Sequence, residues 1–554
     1  MTTYEIEGWQ VRPERNLLTR GAERVPLEPR VMDLLVHFAA RPGEVLSRDH
    51  LIRTVWPDTF VSDAALHTAI SSLRRAFGDD PRRPRVLETI PRRGYRLIAR
   101  VERPRSIAVL PLRNRGGDPE EDFFAEGMTD GLIAELGRRR DLLVIAQRSA
   151  AAGRQAGLPP SEPARRLGAE LLLEGSVQRQ GDRIHLSLRL LEGAPGRLLW
   201  TRSWERSLRE ALALQRQVAS AVIRELAIPD SGGTESRPER SVAPEAWVHF
   251  LRGRFHWYKL SPAHFPLALE HFREAIRIEP GFGDAHAGIA DVWGAQAYWG
   301  LRPPAEVRDR VAATIATALE ADPHSPDAWA LQGSYQHYFA RDREGAERSF
   351  RRALELNPSA VHAHLVLALL LSSSRRDEEA LEAAAQCVRL DPLNPAASAA
   401  LGSCLMAAGR PSEAVAALYE ALDMDPSHRL ANQVLADRLW VEGRDEAAIV
   451  HERAWWQVDP EIATILERAP RRELRKALRE AGGRLAERAR SRWVQPSEAA
   501  RLYAHGGDPE RALSWLEDAL SAGDLRLIDG LRGDAWTTLR GEGRFERVER
   551  ALVS

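Results

Sequence analysis

Between residues 61 and 100 the chain reads VSDAALHTAISSLRRAFGDDPRRPRVLETIPRRGYRLIAR. Leu66, Ile70, Leu73 and Phe77 recur at intervals of four, three and four, which is the apolar stripe of an amphipathic helix. The spacing predicts a helix over about 62–77 that stops at a Gly-Asp turn. Two short strands then meet at a basic hairpin tip, Pro91-Arg92-Arg93. Upstream, residues 4–27 alternate like short strands, and 28–40 and 46–56 carry helical periodicity.

The polar side of the 62–77 helix shows His67, Thr68, Ser71, Arg74 and Arg75, short hydrogen-bonding side chains beside two guanidinium groups. That set suits a helix laid in a DNA major groove. Arg92 and Arg93 fall where a hairpin would meet phosphates. Residues 61–100 hold nine Arg against four acidic residues in a chain whose net charge is −1, so phosphate affinity is localised. The alternative for any single arginine is a solvated helix face, because the chain uses Arg for almost every positive charge and has only Lys259 and Lys476 as lysines.

In stripe, turn and hairpin, with Thr89, Gly94 and Tyr95 in place, the first hundred or so residues resemble the OmpR/PhoB-type winged helix. The resemblance implies a four-stranded N-terminal sheet, three helices and a C-terminal wing. It implies double-stranded DNA as partner, with His67, Thr68, Ser71, Arg74, Arg75, Arg92, Arg93 and Tyr95 at the interface. It also implies a bacterial signal-transduction protein, a homodimer on direct repeats and contact with RNA polymerase through the loop 56–61. The Pro-Arg-Arg tip is similar to the subgroup that carries this domain first in the chain. The family is commonly linked to phosphorelay signalling; no receiver pattern is visible, so such control would act in trans.

A basic run at 100–105 leads into a different pattern. SIAVLPL and DLLVIAQ read as buried strands, DPEEDFFAEGMTDGLIAELGR as a helix with an acidic start, and 170–207 as a strand meander with turns at Gly181-Asp182 and near 193–196. A helix over 211–226 closes an α/β segment. The motifs AVLPL, FFAEGMTDGLIAEL, LLLEGSVQRQGDRI and LLWTRSWER resemble the TolB N-terminal-like domain. No phosphate-binding loop motif is present, and Gly116-Gly117 lacks the strand and glycine spacing of one. The acidic run Asp118, Glu120, Glu121 and Asp122 is read as a helix N-terminus or solvated loop in preference to a cation site. His185 has no nucleophile near it in sequence.

After the Ser/Gly/Pro-rich stretch PDSGGTESRPERSVAP the chain turns to Ala, Leu, Glu and Arg and becomes periodic. Pro323, Pro358, Pro392, Pro426 and Pro460 are separated by 35, 34, 34 and 34 residues, and Pro280 precedes the series by 43, an insertion of about nine near 298–310. Each proline is expected to end a helix. The helices repeat a small, large, small trio: Ala268, Phe272, Ala275; Ala346, Phe350, Ala353; Ala380, Ala384, Cys387; Ala414, Leu418, Ala421. The period and the WALQG and AALG starts resemble the tetratricopeptide repeat over about 246–460, with a last pair near 497–520 and an irregular cap.

One repeat cannot bury its own apolar face, so the array must stack as a superhelix with a concave groove. By the resemblance, Ser334, His337, Tyr338, His362, Ser372, Met406, Gln433, Asp437 and Trp440 face that groove and meet an unidentified protein or peptide. The set is uncharged except for Asp437 and lacks the basic residues that clamp a C-terminal carboxylate. A groove serving only as spacer or self-association surface is the alternative.

Composition narrows the rest. At 554 residues and 44% hydrophobic content the chain holds several globular units. No apolar run reaches the 18 residues of a membrane span and no signal-peptide pattern opens the chain, so a soluble cytoplasmic protein without membrane partner is expected. Cys387 and Cys404 lack the companions of a metal site or disulfide and read as packed repeat residues. No HExxH, GxSxG, P-loop or kinase motif occurs, and Gly402-Ser403-Cys404 falls inside a repeat helix. Neither enzyme activity, cofactor nor metal is expected.

The expected architecture is multidomain: an α+β winged helix at 1–104, an α/β domain at 105–228, a linker at 229–243 and an all-α tetratricopeptide superhelix at 244–554. The expected function is sequence-specific, DNA-binding transcription regulation with a repeat domain for partner or signal. Two readings compete with it: a scaffold with a repurposed winged helix, and an enzyme or nucleotide sensor working through the α/β domain.

Overall fold

The computed structural model describes residues 4–13, 16–20, 23–57, 63–102, 105–153, 161–193, 196–226 and 242–553. Residues Met1–Arg105 form one unit and Ser106–Ser554 another.

The first unit opens with strands β1 (Tyr4–Ile6), β2 (Trp9–Arg12), β3 (Leu17–Arg20) and β4 (Glu23–Pro26), followed by helices α1 (Pro29–Ala39), α2 (Arg48–Val55) and α3 (Asp63–Phe77). Strands β5 (Leu87–Ile90) and β6 (Gly94–Leu97) form the hairpin. The expected stripe is the buried face of α3: Leu66, Ile70, Leu73 and Phe77 are joined by Ala69 and pack against Leu34, Leu35 and Phe38. Helix α2 starts where the Ser47 hydroxyl accepts a hydrogen bond from the His50 N–H at 3.2 Å. Pro29 at the start of α1 fixes φ where no intrahelical donor is needed.

The sheet differs from expectation by one strand. Val101–Glu102 (β7), inside the stretch read as a basic linker, pairs antiparallel with β1 and makes the order β4-β3-β2-β1-β7. Without β7 the outer edge of β1 would present unpaired backbone donors and acceptors. Of the loop 56–61 read as a polymerase contact, residues 58–61 lie outside the described residues, as does most of the 229–243 linker.

The second unit starts with β8 (Arg105–Val109) and the short β9 (Arg113–Asn114), then α4 (Asp122–Gly137), β10 (Leu142–Ile145), α5 (Gln147–Gly153), α6 (Ser161–Leu167), β11 (Leu171–Gln180), β12 (Arg183–Glu192), β13 (Leu198–Ser207) and α7 (Ala211–Glu225). The sheet order is β10-β8-β11-β12-β13, parallel between β8 and β11 and antiparallel through the meander. Alternation along β8 and β11 divides the core. Ile107, Val109, Leu171 and Leu173 face α4 and α7, whereas Ala108 and Leu172 face Ala164 and Leu167 of α6. The acidic run caps a turn, with Asp118 accepting from the Glu120 N–H at 2.9 Å.

Helix pairs follow: Pro244–Tyr258 with Phe265–Ile278, Gly283–Tyr298 with Pro304–Ala321, Pro326–Tyr335 with Arg343–Leu356, Val361–Ser373 with Asp377–Leu390, Pro395–Ala407 with Pro411–Met424, and Arg429–Val441 with Asp445–Trp456. The small, large, small trios are all buried. Phe272 and Phe350 pack so tightly on the facing helix that a Cβ at Gly253 or Gly333 would come within 2.5 and 2.7 Å of the ring. Most of the periodic prolines sit just beyond a helix end, but Pro460 instead opens the helix Pro460–Glu467. The array ends in Leu474–Arg488, Pro496–His505, Pro509–Ala522, Leu525–Gly530 and Gly543–Val553. Cys387 and Cys404 are buried thiols, Cys404 pushed up to about 12 by that burial.

The α/β segment and the first repeats share one core. Trp247 packs edge-on against Phe124 at 5.6 Å, and Leu251 fills the space above Gly127. Asp130 of α4 binds the Arg254 guanidinium at 2.6 Å and the Tyr258 hydroxyl at 2.9 Å. Further along, the Ser149 hydroxyl donates to Asp391 at 2.5 Å and accepts from the Leu393 N–H at 2.8 Å.

Candidate nucleic-acid interface and repeat groove

The buried stripe of α3 sets which side chains face outward. His67, Thr68, Ser71 and Arg75 are exposed on one side of the helix, and Arg92 and Arg93 are exposed at the hairpin tip. Thr68 and Ser71 donate their hydroxyl protons to the carbonyls of Ala64 and His67, at 2.9 and 2.8 Å, which leaves the oxygen lone pairs outward. Arg92 holds φ +59, and the Arg93 N–H closes the tip on the Ile90 carbonyl at 3.0 Å.

Two expected contact residues are placed otherwise. Tyr95 is 1% exposed; its ring belongs to the core and only its hydroxyl reaches out, to His67 Nδ1 at 2.9 Å. Burial raises its pKa. Arg74 is half-buried and turned onto the hairpin, donating to the Leu87 carbonyl at 2.9 Å and to the Thr89 hydroxyl at 2.9 Å. Both tie helix to wing, so they fix the angle between the elements that display the other side chains. The periodicity put Arg74 on the polar face correctly; its engagement depends on a strand 13 residues later, which periodicity does not report.

Sequence reasoning missed four other positioning residues. Asp79, 7% exposed, accepts from the N–H groups of Arg85, Val86 and Leu87 and anchors the chain as it enters β5. Its place after Gly78 in the Gly-Asp turn is the one available signal. Glu88 and Arg96 pair across the hairpin at 2.6 Å. Leu46 exchanges two backbone hydrogen bonds with Tyr95. The backbone at Leu46 crosses so close to Gly94 that a Cβ there would lie 1.9 Å from the Leu46 oxygen, at φ +138.

The expected groove residues lie on the first helices of their pairs, with His337 and Tyr338 on the π-helical turn Gln336–Ala340 that continues Pro326–Tyr335. Ser334 and His362 meet in the open part, Oγ to Nε2 at 2.9 Å. Farther along, the groove is occupied by the chain's own end. Asp529 accepts from Tyr338 at 2.8 Å and Tyr298 at 3.2 Å, and lies 3.2 Å from His337 Nε2. Arg532 donates to the carbonyls of Ser372 and Ala407 and to the Asp377 carboxylate. Arg526 reaches Gln433 and, at 3.0 Å, Glu498.

Arg501, 2% exposed, binds Asp437 at 2.9 Å and Glu452 at 2.5 Å. Burial opposes charge on Asp437, but Arg501 and His505 hold its carboxyl below the usual range. Trp440 stacks on His505 at 6.1 Å, and Met406 lines a cavity of about 80 Å³ beside Arg532. His337, Ser372, Asp437 and Trp440 are therefore buried within the unit.

The fold and surface define a helix-and-wing DNA-binding domain joined in one chain to helical repeats. Residues 22–97 match the family model for the transcriptional regulatory protein C-terminal domain, which is OmpR/PhoB-type. Residues 334–454 match tetratricopeptide repeat models in three overlapping segments.

Among curated relatives, a putative adenylate cyclase 3 of Rhizobium meliloti is 33% identical over 33% of this chain and 32% of its own length. The transcriptional activator CadC of Escherichia coli is 44% identical over 17% of this chain and 18% of its own. The transcriptional regulator HilA of Salmonella typhimurium is 22% identical over 68% of this chain and 69% of its own. The chain thus spans a third or less of the first two relatives. Among the described residues, no helix is long and apolar enough to cross a membrane.

Proposed function

We propose that the chain is a sequence-specific DNA-binding transcription regulator whose second unit receives a partner or signal. The observation that carries the reading is the outward face of α3 and its wing: His67, Thr68, Ser71, Arg75, Arg92 and Arg93, held in fixed relation by Arg74, Tyr95 and Asp79. In this reading α3 lies in the major groove, with Arg75 and the short polar side chains at base edges. The wing arginines meet phosphates. Similarity to two transcriptional regulators, one running over 68% of the chain, supports it.

The reading assigns 1–104 to DNA binding and 105–228 to a TolB N-terminal-like domain. A linker follows at 229–243, and 244–554 form the repeat array. It takes the protein as a non-enzyme that dimerises on tandem half-sites and meets RNA polymerase through 56–61. The third of the chain shared with the putative cyclase gives no reason to transfer cyclase chemistry.

The test is genome-wide recovery of DNA fragments bound by the full chain and by an Arg75→Ala, Arg92→Ala double variant. Discrete, salt-sensitive sites lost in the variant support the reading; recovery of no enriched fragment overturns it.

A further inference from the structure

In the segment 524–536, Leu525 packs among Ala290, Val307 and Ile315 of the repeats, and the residues after it point two ways. Leu527, Ile528, Leu531 and Trp536 pack onto the chain's own terminal helices, in a cluster with Tyr503, Leu513, Leu516 and Phe545. Arg526, Asp529 and Arg532, three residues apart, point the other way into the groove. There they meet groups from five successive helix pairs: Tyr298, Tyr338, the Ser372 and Ala407 carbonyls, and Gln433.

These groove groups lie outside the small, large, small seams that stack the repeats. The two carbonyls sit at helix C-termini; that of Ser372 also accepts from the Arg375 N–H at 3.0 Å and takes the guanidinium as a second donor. Arg532 thus bonds to helix ends and Arg526 to side chains of the array, groups that a bound peptide could also reach.

The polar face is also the looser one. A cavity of about 80 Å³ remains between segment and groove, lined by Tyr298, Met406, Asp437, Asp529 and Arg532. Beside it opens a pocket of about 570 Å³, reached past Arg375, Arg540 and Glu549. Polar, incompletely packed interfaces within a chain resemble transient associations more than obligate cores.

We propose that residues 524–536 are a tethered ligand of the repeat groove, displaced by a protein partner that presents the same arginine, aspartate, arginine series at intervals of three. Asp529 fits the Tyr298, Tyr338 and His337 cradle; Arg532 fits Asp377 and the two helix-end carbonyls; Arg526 fits Gln433 and Glu498. The proposal rests on the repeats being a partner site and is independent of DNA binding by 1–104, which the fragment-recovery experiment reads separately.

The experiment uses the full chain and a fluorescein-labelled peptide of residues 522–538. The double variant Asp529→Asn, Arg532→Gln should bind the peptide at least tenfold more tightly than the unaltered chain by fluorescence anisotropy. A peptide with Asp529→Ala should bind neither. Equal binding by variant and unaltered chain overturns the proposal, as does loss of helical circular dichroism in the variant, which would make the segment part of the fold. In the unaltered chain, excess peptide should speed hydrogen exchange at 525–536 at least fivefold without changing 445–456. Unchanged exchange overturns it too.

Discussion

The two units use the same side chain in opposite ways. In the first, Arg75, Arg92 and Arg93 stand exposed around one helix and one hairpin. In the second, Arg501, Arg526 and Arg532 turn inward onto carboxylates and carbonyls. The difference lies in what the neighbouring element offers. Beside α3 runs a hairpin whose acidic residue, Glu88, is spent on Arg96. Beside Arg501 stand Asp437 and Glu452 on adjacent helices, and Glu452 is fully buried. An exposed guanidinium keeps its charge available to a polyanion; an internal one ties helices together.

The largest effect expected from this contrast is at Arg501. Arg501→Ala leaves Glu452 buried without its cation and should cost about 3–5 kcal/mol, read by chemical denaturation of the full chain. A loss below about 1 kcal/mol would mean that water replaces the guanidinium.

Arg75→Ala should weaken specific DNA binding by about 1–3 kcal/mol with the unfolding of the first unit unchanged. Arg74→Ala should lower both, because its bonds to Leu87 and Thr89 are part of the fold. Equal stability in the two variants would put Arg74 back among the reading residues.

Acid should separate the units as well. Burial lowers the pKa of His256, His271, His428 and His451, and of His364 to about 4, all in the second unit. In the first unit the same holds for His37, on helix α1. A histidine kept neutral by folding takes up its proton more readily when unfolded, near its ordinary value of about 6.5. Stability is then full above that pH and falls as pH drops through it toward the folded values. Hydrogen exchange at pH 7.5 and 5.5 should show the repeats loosening more than α1–α3; equal loosening would contradict the assignment.

The smallest effect is at the wing. Arg92→Ala should lower the salt slope of DNA binding by about one, with sequence preference unchanged. A changed preference would move Arg92 from phosphate to base edge.

Much of this was legible in the chain. The stripe Leu66, Ile70, Leu73, Phe77 fixed which face of α3 is buried, because helical periodicity alone decides it. The 34-residue period fixed the stacked pairs, because each repeat needs its neighbours to cover an apolar face. Polar placement was less legible. Thr68, Ser71 and Arg75 lie outward as their positions imply, whereas Arg74 turns onto the wing and Tyr95 turns from the wing into the core, its hydroxyl on His67. The Gly-Asp turn marked the place of Asp79 but not its role, because its partners are the backbone N–H groups of residues six to eight positions on.

The sequence by itself determined the elements, their buried faces and the repeat register, since these follow from the local spacing of apolar and small residues. Only the tertiary structure decided which charges meet: Arg501 with Asp437 across 64 residues, and Asp529 with Tyr338 across 191. Pairing of that kind depends on where the superhelix carries its own end, and no local interval encodes it.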